Sequence, residues 1–223
     1  ERKRPEIDHH RRRMDRRPRQ HRPWPLWPQP QSKGHRHRAQ DREGHDCAGE
    51  MELPQPAIPR DDPDFFPAFV LNEVLGGGRF TARLMTEVRE KRGLTYGIGT
   101  YLVNMDQADM LLGQFSASND KVAEAIKVVQ AEWGRIVSEG VTEAELQATK
   151  TYLTGSYPLR FDGNGPIASI LVGMQMDGLP IDYVTTRNAK VEAVTMEDIR
   201  RVAARLFTPG ALQFVVVGRP VGL

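Results

Sequence analysis

LGGGRFTARLMTEVREKRGLTY, residues Leu75–Tyr96, holds the turning points of the chain. Three consecutive glycines, Gly76-Gly77-Gly78, must end whatever helix runs into them, because glycine gives up more backbone freedom in a helix than any other residue. Beyond them Phe80, Leu84, Met85 and Val88 recur at helical spacing and predict a helix over Arg79–Arg92, stopped at Gly93. From Thr95 the pattern changes to that of a strand. Thr95–Val103 and Met110–Ala117 predict an antiparallel hairpin joined by the polar turn Asn104–Asp109. Helix, glycine corner, helix and hairpin within one short stretch point to helices layered on a sheet.

Working outward, Asp64–Leu75 carries Phe65, Ala68, Phe69, Leu71, Val74 and Leu75, a broad apolar stripe that predicts a helix entering the glycine corner. After the hairpin, Asn119 or Asp120 is the expected cap of a helix whose face is Val122, Ala125, Ile126, Val129, Trp133, Ile136 and Val137, closed by Gly140. Thr142-Glu143-Ala144-Glu145 is a capping box opening the next helix, towards Tyr157. Pro166–Asp177 and Ile181–Val194 predict two more helices, and Thr195-Met196-Glu197-Asp198 caps a last one with Ile199, Val202, Ala203, Leu206 and Phe207 inward. Leu212–Val217 is a short β-rich run. Three strands are visible, and Glu50–Leu53 offers a fourth. So many helices exclude a sandwich or barrel; the class is α+β, with several helices packed on a largely antiparallel sheet.

Charge divides the chain in two. Residues 1–60 hold 15 Lys and Arg against 9 Asp and Glu, together with all six histidines; the remainder holds 16 against 20. Residues 1–49 therefore read as a disordered basic tail, or as non-native text of the kind GC-rich DNA gives out of frame, and 50–223 as the folded domain. Two functional readings of the tail compete with that one. Arginine runs with Trp24 and Trp27 suit phosphates and stacked bases, but nucleic acid is the weak reading. His35, His37, His45 and Cys47 are metal-ligand types whose spacing fits no standard zinc site. The lone Cys47 excludes an internal disulfide, and no apolar run approaches the length of a membrane span.

The 75–96 stretch resembles the segment of pitrilysin/insulinase-type zinc metallopeptidases that reads L-G-G-G-x-F-S-S-R-L-x-x-E-V/I-R-E-K-R-G-L-x-Y. Arg60–Asp64 and Asn72 upstream, the V-T-x-x-E-L run at Val141 and the terminal Phe214–Gly218 strand fit the same family, so the resemblance covers roughly residues 50–220. It implies the C-terminal, zinc-free half-domain of such an enzyme, of the mitochondrial-processing-peptidase kind. A second, zinc-bearing domain or subunit with an H-x-x-E-H motif would complete a homo- or heterodimeric chamber. It also implies that Arg89 and Tyr96 hold the substrate peptide, and that Gly76, Gly77 and Gly78 form a loop touching it. The setting implied is bacterial, periplasm or cytoplasm.

From the residues alone, Arg89 reads first as a solvated helix-end cation, Tyr96 as a core or sheet-face aromatic, and the glycine run as a tight helix-to-helix corner. Arg79 stands where many relatives have a fourth glycine, which bears on the mobility of that loop. No histidine follows His45, so residues 50–223 contain no zinc-hydrolase ligand set and no Ser/His or Cys/His pair. The expectation is no catalytic residue, metal or cofactor in this chain, with zinc in the partner. A non-catalytic scaffold subunit or a truncated fragment is the alternative. Relatives have a strand after Pro54-Gln55; Pro56-Ala57-Ile58-Pro59 occupies that interval here, and two prolines predict its truncation or loss.

Overall fold

The computed structural model describes residues 49–52, 55–105, 108–207 and 212–223, all within one unit, Gly44–Leu223. The tail readings for residues 1–48 lie outside the described residues. Helix α1 (Phe65–Leu75) is buried round most of its circumference, with Ala68, Val70, Leu71 and Leu75 fully enclosed. A short helix with so little polar surface must be surrounded. It packs against the later helices α3 (Glu143–Ser156), α5 (Tyr183–Glu192) and α6 (Met196–Leu206), and against the sheet. Each fully buried aliphatic side chain of this kind contributes about 2 kcal/mol.

The sheet is antiparallel throughout. The hairpin β3 (Ile98–Asn104) and β4 (Asp109–Ala117) lies where the alternation predicts, with Ile98 facing Phe115 and Asn104 facing Asp109. On the far side of β4 run β1 (Gly49–Glu52) and β2 (Gln55–Pro56). Glu52 faces Gln114 and Gln55 faces Leu111, so the two segments share one register. The expected fourth strand exists, and of the two outcomes predicted for the segment after Pro54, truncation or loss, truncation is the one found. Pro56 is accommodated because β5 (Val215–Val217) pairs only with β1, leaving β2 at an edge where no N–H is needed. Ala57 N–H still donates to Asp109 O at 2.9 Å.

Two further expectations are corrected. The helix over Arg79–Arg92 is mostly a π-helical turn, Met85–Glu90, preceded by a tight corner. Gly76 and Gly77 N–H both bond Asn72 O, and Arg79 N–H bonds Gly77 O, so the chain is still turning where helix was predicted. Neither Asn119 nor Asp120 caps α2 (Val122–Ser138); Lys121 occupies that position and Ser118 O receives the first N–H groups. Asn119 is used elsewhere: its side chain accepts from Arg219 N–H and its carbonyl from Val221 N–H, tying down the chain terminus. The capping boxes of α3 and α6 form as read, from Thr142 with Glu145 and Thr195 with Asp198. α4 (Asn164–Met176) buries only Met174, despite its apolar sequence. No helix among the described residues is long and apolar enough to cross a membrane.

Candidate functional site

The π-helical turn sets the position of Arg89. Lys91 N–H reaches five residues back to Thr86 O at 2.9 Å, and Gly93 N–H bonds Arg89 O. Gly93 has φ +59°, a left-handed conformation that costs glycine nothing and ends the helix. The reversal folds Leu94 into the core and carries Thr95–Gly97 outward. Two hydrogen bonds hold this reversal in place: the Thr95 hydroxyl donates to Ser116 O of β4 at 2.6 Å, and Lys121 Nζ, just before the helix that begins at Val122, donates to Gly93 O at 3.0 Å.

The charges of this turn are divided unequally. Glu87 accepts from Lys91 Nζ at 2.6 Å and from Arg92 Nη1 at 2.7 Å, and these bonds, Lys91 first, hold its carboxyl below the usual range. Among the described residues no carboxylate pairs with Arg89. Its guanidinium lies over the Phe80 ring, 4.8 Å from the centroid. Phe80, read from its spacing as part of a helix's apolar stripe, is 61% exposed and acts as a platform for that guanidinium. The apolar period holds no signal for this, since a platform and a core residue look alike in it. Tyr96 is 96% exposed.

Arg89 and Tyr96 line one open concavity of about 1240 Å³ on the outer side of the hairpin. Gly97 and Gly99 leave its floor without side chains, and a Cβ at Gly97 would meet nothing within 4 Å. Tyr101, Gln114 and Lys121, none of them singled out from the sequence, complete the wall. The Tyr101 phenol is pushed up by burial, partly offset by a hydrogen bond to Gln114. Chemically the surface presents a donor fork and phenols beside accessible main chain, the equipment for holding peptide carbonyl oxygens.

The glycine run stands apart from this concavity. Gly76 accepts Thr100 N–H at 2.7 Å, and a Cβ there would collide with the Thr100 side chain; one at Gly77 would strike Glu73. Only Gly78 is exposed with open space around it, at the edge of a second cavity. Arg79 binds the corner to α3, donating to the Thr149 hydroxyl and stacking over Tyr152 at 5.0 Å. Arg83 follows it with a two-pronged bond to Glu145, at 2.6 and 2.8 Å, and a third to Gly140 O.

A zinc ion does not fit the donors present. Residues 49–223 contain no His or Cys, and no group of three or more His, Cys, Asp or Glu among the described residues is placed to hold a metal. No step can be routed through a metal on these residues.

Comparison with known proteins accounts for the combination of a peptidase-like surface and a missing ligand set. The family model of the peptidase M16 inactive domain matches residues 8–153. An uncharacterized zinc protease of Streptomyces coelicolor is 29% identical over 151 residues, covering 68% of this chain and 33% of its own length. A crystal structure of the peptidase M16 inactive domain from Pseudomonas fluorescens superposes with TM-score 0.69 at 31% identity, over 78% of this chain and 41% of that one. A protease from Helicobacter pylori shares the fold, with TM-score 0.67 at 16% identity over 79% of this chain and 42% of its own. The chain spans about a third of the length of the curated relatives it matches. It belongs to the M16 (pitrilysin/insulinase-type) zinc metallopeptidase family, as an inactive domain that is not catalytic alone.

Proposed function

We propose that this domain holds an extended peptide across the Arg89–Tyr96 concavity while a zinc-bearing H-x-x-E-H domain or subunit cleaves it. The observation that carries the reading is the joint placement of the two side chains. A guanidinium that pairs with no carboxylate among the described residues and a fully presented phenol share one open wall, within a turn whose other cations, Lys91 and Arg92, share the Glu87 carboxylate. Arg89 donates to a peptide carbonyl oxygen, and Tyr96 donates to a second carbonyl or to the oxyanion as it forms. Gly97 and Gly99 let the peptide backbone approach the strand. Of the glycine run, Gly78 alone is open to the peptide; Gly76 and Gly77 shape the corner. The partner half supplies metal, water and general base. We take residues 50–223 as the working domain, since they carry the Arg89–Tyr96 concavity.

Peptide cleavage by the chain alone, and by the chain mixed with a zinc-bearing partner half, tests the reading. Activity is expected only on mixing, with a loss of about 10²–10³-fold for Tyr96→Phe. Chelator-sensitive cleavage by the purified chain alone would overturn it. Silence in the mixture would favour a scaffold.

A further inference from the structure

Beside the Arg89–Tyr96 concavity lies a second cavity of about 570 Å³ between α1, β3, α4 and α5. Gly99 and Tyr101 line both, so β3 is their common rim. The far wall is aromatic: Phe65, Phe66 and Phe69 from α1, Tyr157 from the end of α3, and Tyr183 from α5. Guanidiniums are already stacked on these rings. Arg187, 6% exposed, lies 4.3 Å from the Tyr157 ring and 5.4 Å from Phe69, and Arg60 lies 5.1 Å from Phe65. Arg60 Nε is buried and makes no hydrogen bond, 3.6 Å from Asp177. On the α4 side Gly173 removes a side chain where space remains, since a Cβ there would meet nothing within 4 Å.

We infer that this cavity is a side-chain subsite of the proposed peptide groove, selective for an aromatic residue; the inference rests on that groove binding peptide. Rings in the wall favour a ring in the lumen through edge-to-face contact, and the stacked guanidiniums add cation–π attraction. A lysine or arginine is repelled by Arg60, Arg160 and Arg187 together. For a carboxylate, Glu73 and Asp177 on the same wall offset most of the pull of the three guanidiniums, so it gains little against the cost of leaving water. A small side chain leaves the cavity unfilled. What remains is a large, flat, neutral group, entering past Tyr101 from a backbone lying along Gly97–Gly99.

The test is fluorescence anisotropy with labelled Gly/Ser decapeptides, in which a single Phe, Ala or Lys is moved one position at a time, against the full chain. One register is expected in which Phe binds about tenfold tighter than Ala, a gain of about 1.4 kcal/mol, and Lys binds weakest. Gly173→Leu fills the cavity from the α4 side, and it should erase the Phe advantage while leaving the Ala peptide unchanged. The fold of this variant is checked by circular dichroism. Arg160→Glu, at an exposed mouth position, should restore Lys binding in that register and serves as the second variant. Peptide binding without a Phe-preferring register, or a preference that survives Gly173→Leu in a folded variant, overturns the subsite and leaves the groove standing. No binding by any peptide overturns both.

Discussion

Two halves of one 22-residue stretch treat their arginines in opposite ways. In the first half, Arg79 and Arg83 are consumed by α3: one bonds Thr149 and stacks on Tyr152, the other grips Glu145 and Gly140 O. In the second half, Arg89 has a ring beneath it and no ion pair with a carboxylate among the described residues, and Tyr96 projects into solvent. The first half makes a rigid corner, and the second presents groups from it. On the proposed reading this stretch mixes residues that hold the fold with residues that contact a peptide, and the two should respond differently to mutation.

The largest effect expected from breaking this contrast is functional. In the assembled enzyme, Arg89→Ala and Tyr96→Phe should each lower kcat/KM by about 10²–10³-fold, because on the proposed reading each removes a donor aimed at a developing or bound oxygen. Both should leave the unfolding transition nearly where it was. The next largest effect is on stability. Glu145→Ala strands Arg83, whose side chain is 12% exposed, and removes the reciprocal bond of the α3 capping box. The expected cost is about 2–3 kcal/mol in urea denaturation, between the values for surface and buried pairs. A cost below about 1 kcal/mol would show that the corner does not depend on this clamp.

The same clamp gives a smaller, pH-dependent effect. Hydrogen bonds from Arg83, with help from Thr142, lower the Glu145 carboxyl from the ordinary glutamate range to about 2. A depressed carboxylate stabilises the fold above its unfolded pKa, and that contribution fades as pH falls from about 5 towards 2. Because the side chain is 32% exposed, screening reduces the contribution to about 1 kcal/mol. Denaturation midpoints measured between pH 6 and pH 3 should fall less for Glu145→Gln than for the unaltered chain.

Much of this was legible before any coordinates. Periodicity placed α1, α3, α6 and the β3–β4 hairpin because their apolar faces are the faces that are buried. The motif singled out Arg89 and Tyr96, and Gly93 shows how they come to share one wall: a left-handed stop between helix and strand turns the chain there. What failed to show had no local cause. Phe80 carries the same spacing as Leu84, but tertiary ties at Arg79 and Arg83 turn the chain and expose it. Lys121, Tyr101 and Gln114 join the site through strand register and helix placement, which residue types alone do not encode. The first strand looked lost because its prolines argue against a central position, and it persists because β2 lies at an edge.

The smallest expected effect is the sharpest check on the comparison. Arg89→Ala deletes a cation at the end of the π-helical turn and its contact with Phe80, an exposed pair worth about 0.5–1 kcal/mol. The macrodipole at a helix end adds a few tenths of a kcal/mol more, screened by salt. Against this, alanine is a better helix former than arginine and loses no side-chain entropy there. The net change in unfolding free energy should therefore stay within about 0.5 kcal/mol, several-fold below that of Glu145→Ala. If calorimetry instead shows the two variants equally destabilised, Arg89 belongs with Arg79 and Arg83 as a structural arginine. Its lack of a carboxylate would then no longer count as evidence for a bound peptide.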